Sequence, residues 1–214
     1  MKHPLGYVYL VDDEISIRES LVPVLEDHGF VVQAFSNPAD FLDGIEISRP
    51  AVILLDMRMP RLSGLEVQSR LRELSKTIPI IFISGQCGKN EIVKGFKEGA
   101  QDFLLKPFDI DVLLEAVNKA ISLDLNISSS ESRLRNLLTR LETLTHRERE
   151  VFEQLAKGLM SVEVASCLDL SPKTVKIHKS RILEKMGVSS VQELAILFFE
   201  LGLHQINSEV SSEI

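Results

Sequence analysis

The stretch YVYLVDDEIS, residues 7–16, decides how the first half of the chain is read. Val8, Tyr9, Leu10 and Val11 make an apolar run of strand length, and three consecutive acids, Asp12, Asp13 and Glu14, close it. A helical spacing, Ile17, Leu21, Val24 and Leu25, begins directly afterwards. Crowded carboxylates repel one another and lose hydration, so something must offset their cost. One reading is a helix start, where the macrodipole favours acids. The other is a site that needs negative charge at the end of a buried strand.

The same alternation recurs along the chain. Apolar runs occur at 7–11, 31–35, 51–55, 79–83 and 102–105. Each has the length of a strand buried on both faces. Between them, apolar residues fall three and four apart, as at Leu65, Leu71 and Leu74. Gly29 and Gly99 stand where the first and fourth helices should end, since glycine accepts the left-handed turn of a helix C-terminus. Five strands alternating with five helices predict an α/β fold, a parallel sheet with helices on both faces, over residues 1–124.

A length of 214 residues suits two domains, and 44% hydrophobic with 26% charged residues suits a soluble globular protein. No apolar run approaches the roughly 20 residues of a membrane helix, and the N-terminus lacks the pattern of a signal peptide. Cys87 and Cys167 are far apart with no metal-type spacing, so reduced thiols and a cytoplasmic location are expected. The net charge of −7 by itself argues against nucleic acid, yet residues 145–187 carry eight Lys/Arg against six Asp/Glu. A mildly basic block thus sits inside an acidic chain.

Residues 125–133, LNISSSESR, are serine-rich and mark a boundary. Leu134, Leu137, Leu138, Leu141 and Leu144 then form one apolar stripe, predicting a helical linker over 125–142. The stripe either packs on its own domain or pairs with a partner. Four short helices follow over 143–204. Thr145 with Glu148, and Ser190 with Glu193, read as capping boxes. Ser161 opens the second helix, Ser171-Pro172 the third, and Gly202 ends the last. The tail 205–214 is expected to be disordered.

Ligands of open parallel sheets bind at the carboxyl edge. Asp12 and Asp13 end the first run, Asp56 the third, Ser84 the fourth and Lys106 the fifth. A hard divalent cation such as Mg2+ would neutralise the acids while keeping some waters. With Lys106 and the Ser84 hydroxyl it would form a receptacle for a phosphoryl group, Asp56 being the nucleophile that becomes an acyl phosphate. The acids at 12–14 are then there to hold a cation, with Glu14 the weakest member.

The motifs VDDE, LLDMRMPRLSG, FIS and LLKPF, in this order across residues 6–122, resemble the receiver domain of bacterial response regulators. The resemblance implies a flavodoxin-like (βα)5 fold and a sensor histidine kinase as phosphodonor. It implies Mg2+ held by Asp12, Asp13, Asp56 and the backbone carbonyl of Arg58, and a cis Lys106–Pro107 bond. Met59-Pro60 and Gly64 would shape the loop after Asp56. Ser84 and Phe103 fall at the switch positions, though Phe103 lacks a hydroxyl and also suits plain core packing.

In SPKTVKIHKSRILEKM, Val175, Ile182, Leu183 and Met186 face a core, whereas Lys173, Lys176, Ile177 and Ser180 share an outward face. With the helix before it, this segment has helix-turn-helix proportions. Lysines suit guanine edges or phosphates and Ile177 a thymine methyl, while Lys179 and Arg181 flank the face and suit phosphates. Residues 143–203 resemble the LuxR-type output domain, through Thr145, Glu148, Gly158, Ala165, Thr174-Val175, His178 and Lys185-Met186 among others. The resemblance implies base contacts from Lys176, Ile177 and Ser180, with Thr174 in the same interface. Ser180 stands where a basic residue is often found, and Val162-Glu163 where Asn-Lys is usual.

The whole is similar to regulators of the FixJ/NarL type. It implies phosphorylation of Asp56, a homodimer, double-stranded promoter DNA and RNA polymerase as partners, and no enzymatic turnover beyond the receiver's own phosphorylation chemistry. An enzyme of the haloacid-dehalogenase type fits less well, because it places D-x-D after the first strand. An interaction module that has lost DNA binding conflicts with the basic face at 173–181.

Overall fold

The computed structural model describes residues 4–44, 46–74 and 77–203. The tail expected at 205–214 lies outside the described residues. The chain divides into two compact units, the first ending at Ser129 and the second starting at Ser130.

The first unit comprises β1 (Tyr7–Val11), α1 (Ile15–Asp27), β2 (Val31–Phe35), α2 (Pro38–Gly44), β3 (Ala51–Asp56), α3 (Gly64–Glu73), β4 (Ile80–Ser84), α4 (Lys89–Lys97), β5 (Asp102–Leu105) and the start of α5 (Ile110–Glu142). Its strands are all parallel, in the order β2-β1-β3-β4-β5. Because side chains alternate along a strand, β1 feeds two cores. Val8 and Leu10 join Leu21 and Leu25 of α1 and Leu113 and Val117 of α5. Tyr9 and Val11 join Phe41 of α2 and Val67 and Leu71 of α3. β3 lies between β1 and β4 and is buried at every position. Each such Leu or Ile stabilises the unit by roughly 1.5–3 kcal/mol relative to exposure.

β2 departs from the expected double burial. It is the edge strand, none of its five residues is fully buried, and Val31 is 40% exposed. A short apolar run gives no sign of whether a neighbour lies on each side. The other edge strand, β5, is likewise only partly buried.

The second unit comprises the end of α5 with α6 (His146–Ala156), α7 (Ser161–Cys167), α8 (Pro172–Met186) and α9 (Val191–Glu200). The linker leucines divide. Leu137, Leu141 and Leu144 are buried in this unit's core beside Val151, Val175 and Ile182, whereas Leu134 and Leu138 are exposed. Arg140 donates to the carbonyl of Met186 at 2.8 Å, tying α5 to the end of α8. The Thr145–Glu148 capping box is present. At α9 the reciprocal bond differs from a box: Ser190 Oγ accepts from Glu193 N–H, but the Glu193 carboxylate reaches back to the N–H of Ser189.

Candidate functional site

Sheet register assembles the acidic pocket. Val11 pairs with Leu55, so Asp12 and Asp56 leave the sheet side by side. Ser84 pairs with Leu105, so Lys106 emerges from the next strand but one. The Lys106 ammonium reaches back across this edge. It donates to Asp12 Oδ2 at 2.9 Å, Glu14 Oε1 at 3.1 Å and Asp56 Oδ1 at 3.2 Å. Asp12 and Asp56 are buried, while Asp13 and Glu14 are exposed. The other Asp56 oxygen accepts from Arg58 N–H at 2.8 Å.

Charge and burial compete here. Burial pushes the Asp56 carboxyl above its usual range, and the Asp12 charge adds to this against the pull of Lys106 and Arg58 N–H. For Lys106, burial alone would lower the pKa. Hydrogen bonds to Asp12 and Glu14 and the charges of Asp12 and Asp56 outweigh it, so the ammonium is held above its ordinary value.

The helix-dipole explanation of the acids fails. No acid lies in the first turn of α1, and its N-cap Glu14 makes no side-chain cap bond. Asp12 instead accepts Glu14 N–H on Oδ1 at 2.9 Å, and its own carbonyl accepts from Arg18 at 2.6 Å. Arg18 was not singled out from the sequence. It lies one turn into α1, and only the packing of that helix over the strand end brings it to Asp12.

The remaining pocket residues are close but differently engaged. Ser84 is buried, and its hydroxyl donates to the carbonyl of Gln86 at 3.0 Å rather than to an acid. The Lys106–Pro107 bond is cis, as is Arg49–Pro50. Gly64 passes so near the backbone of Asp56 that a Cβ there would lie 2.5 Å from the Asp56 carbonyl oxygen. Phe103 is half-buried between Phe82 and Phe96, with ring centroids at 4.8 and 5.1 Å. Gly95 of α4 lets the Phe103 ring lie flush against the helix, since a Cβ would come within 2.6 Å of it.

Among the described residues, no three His, Cys, Asp or Glu side chains form a ready-made metal cage. Mg2+ needs none, because it keeps several waters and binds through one or two carboxylates. Asp12 and Asp56 share one ammonium, with Asp13 and Glu14 beside them, so the donor set fits a hard cation.

The second site is α8. Ser171 caps it, accepting Thr174 N–H at 3.1 Å, and Pro172 occupies its first turn. The preceding turn uses Asp169 at φ 52, a left-handed position that Asp tolerates. Val175, Ile182 and Met186 are buried, whereas Lys173, Lys176, Ile177, Ser180 and Arg181 are exposed and Lys179 is half-buried. Thr174 is half-buried and its hydroxyl bonds Ser171 Oγ at 2.7 Å, so it belongs to the cap. Ser161 of α7 lines a groove with Lys176, Lys179 and Ser180, an arrangement the sequence alone did not reveal. Lys185 anchors the inner side of α8, donating to Glu148 at 2.6 Å and to the Thr143 carbonyl at 2.9 Å.

Comparison with known proteins divides the chain in the same way. Residues 8–118 match the response regulator receiver domain and residues 142–198 the luxR family of bacterial regulatory proteins. The response regulator protein TodT of Pseudomonas putida is 39% identical over 194 residues, covering 91% of this chain and 86% of TodT. The transcriptional regulatory protein FixJ of Bradyrhizobium diazoefficiens is 32% identical over 198 residues, covering 92% of this chain and 97% of FixJ. Among solved structures, the response regulator StyR superposes with a TM-score of 0.84 at 34% identity, over 91% of this chain and 98% of StyR.

Proposed function

The chain belongs to the transcriptional response regulators that join a receiver to a LuxR-type DNA-binding domain, and from this we propose that phosphorylation of Asp56 controls the binding of α8 to promoter DNA. The observation that carries the proposal is the convergence of Asp12, Asp56 and Lys106 from three strand ends. The donor is a sensor histidine kinase. An Asp56 carboxylate oxygen attacks phosphorus, the P–N bond to the kinase histidine breaks, and an acyl phosphate forms. Mg2+ held by Asp12, Asp13, Asp56 and the Arg58 carbonyl would supply charge neutralisation for the phosphoryl oxygens. Lys106 then exchanges its bond to Asp56 for a phosphoryl oxygen, and Ser84 turns its hydroxyl from Gln86 to another. Phe103 follows Ser84 and re-sets its contact with α4.

In the second unit, Lys176, Ile177 and Ser180 face base edges, and Lys173, Lys179 and Arg181 hold phosphates. One helix offers few phosphate contacts, so two copies joined as a dimer read half-sites about one helical turn apart. RNA polymerase is the partner at the promoter, and the site of action is the cytoplasm. Among the described residues no helix is long and apolar enough to cross a membrane. The output is occupancy of DNA rather than turnover of a substrate.

The test uses acetyl phosphate and Mg2+. The wild-type chain should gain one hydroxylamine-sensitive phosphoryl group, seen as a mass increase, and Asp56→Asn should gain none. Labelling of Asp56→Asn at the wild-type rate would remove the assignment.

A further inference from the structure

Side chains leave α8 at roughly 100° intervals around its axis. Val175, Ile182 and Met186 mark the buried line. Ile177 and Ser180 lie opposite, with Lys176 beside them, on the face read above as meeting the bases. His178 belongs to neither line. It stands on one flank of the helix, with Thr174 a turn before it and Arg181 about a turn after, while Lys179 stands on the other flank. The His178 side chain is half-buried. Its Nδ1 is closed off from water and has no hydrogen-bond partner. Its Nε2 makes no bond to the described residues either, but that nitrogen is not closed off.

A histidine kept for structure alone normally bonds a protein group through a ring nitrogen, because buried polar atoms without partners are costly. His178 does not. The neighbouring hydroxyl, Thr174 Oγ1, is engaged with Ser171 at 2.7 Å in the helix cap. The ring therefore has one usable nitrogen, Nε2, on a flank of the helix that enters the groove. A neutral imidazole carries one N–H and one lone pair, and a phosphate oxygen only accepts. A ring set against a phosphate thus holds its proton on Nε2 and its lone pair on the buried Nδ1.

We propose that His178 is a DNA-backbone contact of α8, its Nε2–H donating to a phosphate oxygen on the same flank as Arg181. The inference rests on the reading of α8 as the DNA-binding helix and adds to it a contact that carries no charge. Lysine and arginine contacts weaken with salt, because each releases counterions from the duplex. An uncharged donor releases none, so its share of the binding is the same at low and at high salt. Backbone contacts carry no sequence information, and His178 accordingly seats the helix in the groove without choosing a base.

Fluorescence anisotropy with a short duplex of mixed sequence tests this. The full-length chain is treated with acetyl phosphate and Mg2+ and titrated over a series of salt concentrations at about pH 8, where an imidazole is uncharged. Two variants divide the ring. His178→Gln carries its amide to the place of Nε2 and should bind within about twofold of the wild type. His178→Asn carries its amide only to the place of Nδ1 and should bind roughly tenfold more weakly. The salt slope of His178→Asn should stay parallel to that of the wild type, unlike the shallower slope that loss of a lysine contact produces. Equal binding by His178→Asn overturns the proposal, and so does a shallower slope in that variant. Loss of affinity in both variants assigns the ring to packing and overturns it as well. No binding by the wild type would remove the reading of α8 itself, and this contact with it.

Discussion

Gly64 shows how one residue constrains the acidic pocket. Its missing side chain lets the loop after Asp56 close over the strand end, and Phe82 would sit 2.9 Å from an added Cβ. Gly64→Ala must therefore push on the backbone of Asp56. We expect a loss of roughly 1–3 kcal/mol in urea unfolding, together with slower labelling of Asp56 by acetyl phosphate. Unchanged labelling would mean the loop yields without moving Asp56. The strand-end acids and Lys106 were legible in the sequence because each ends an apolar run, and parallel register does the rest. The orientation of Ser84 toward Gln86 was not legible, nor was the bond from Arg18 to Asp12. Both depend on how a loop or helix settles over the sheet, and no local pattern encodes that.

Elements were legible in proportion to how local their signals are. The cap of α8 by Ser171, with Pro172 behind it, follows from adjacent residues. The exposure of β2 does not, because it is decided by which strand lies beside it. The leucine stripe of α5 was equally compatible with a partner or a core, and the core claims Leu137, Leu141 and Leu144. α8 itself carries two predictions. Lys176→Ala should change the preferred base at one position, costing roughly 1–3 kcal/mol there, whereas Lys179→Ala should weaken binding to all sequences and lower the salt slope by about one unit per site. Selection from a randomised operator library at two salt concentrations separates them. The support of α8 should also depend on pH. The hydrogen bond from Lys185 draws the Glu148 carboxyl down to about 2, against burial and helped by Thr145. A depressed acid stabilises fully above its unfolded value near 4.5 and loses that contribution as pH falls toward about 2. Thermal melts of the second unit's signals should fall over that window in the wild type and fall less in Lys185→Met.

At the scale of the whole molecule, α5 belongs to both units, running unbroken from Ile110 to Glu142. Between Asp124, which is buried against Arg49, and Leu137, which enters the second core, no side chain of α5 is buried. This interval holds Asn126 and the run Ser128, Ser129, Ser130 and Ser132. Such residues are each about 0.5 kcal/mol poorer than alanine in a helix. Ser128 and Ser129 moreover turn their hydroxyls onto carbonyls three residues back. The interval is thus a helix with no buried side chain of its own, tied sideways by Arg133, which donates to Glu200 at 2.9 Å. Amide hydrogen exchange should detect it, with residues 127–133 exchanging on the order of a hundredfold faster than residues 113–121. In polymer terms its end-to-end span depends on whether it is helical. Twelve residues, Leu125 to Asn136, span about 18 Å as helix and up to roughly 40 Å as extended chain. Were the interval to unwind, its span would roughly double.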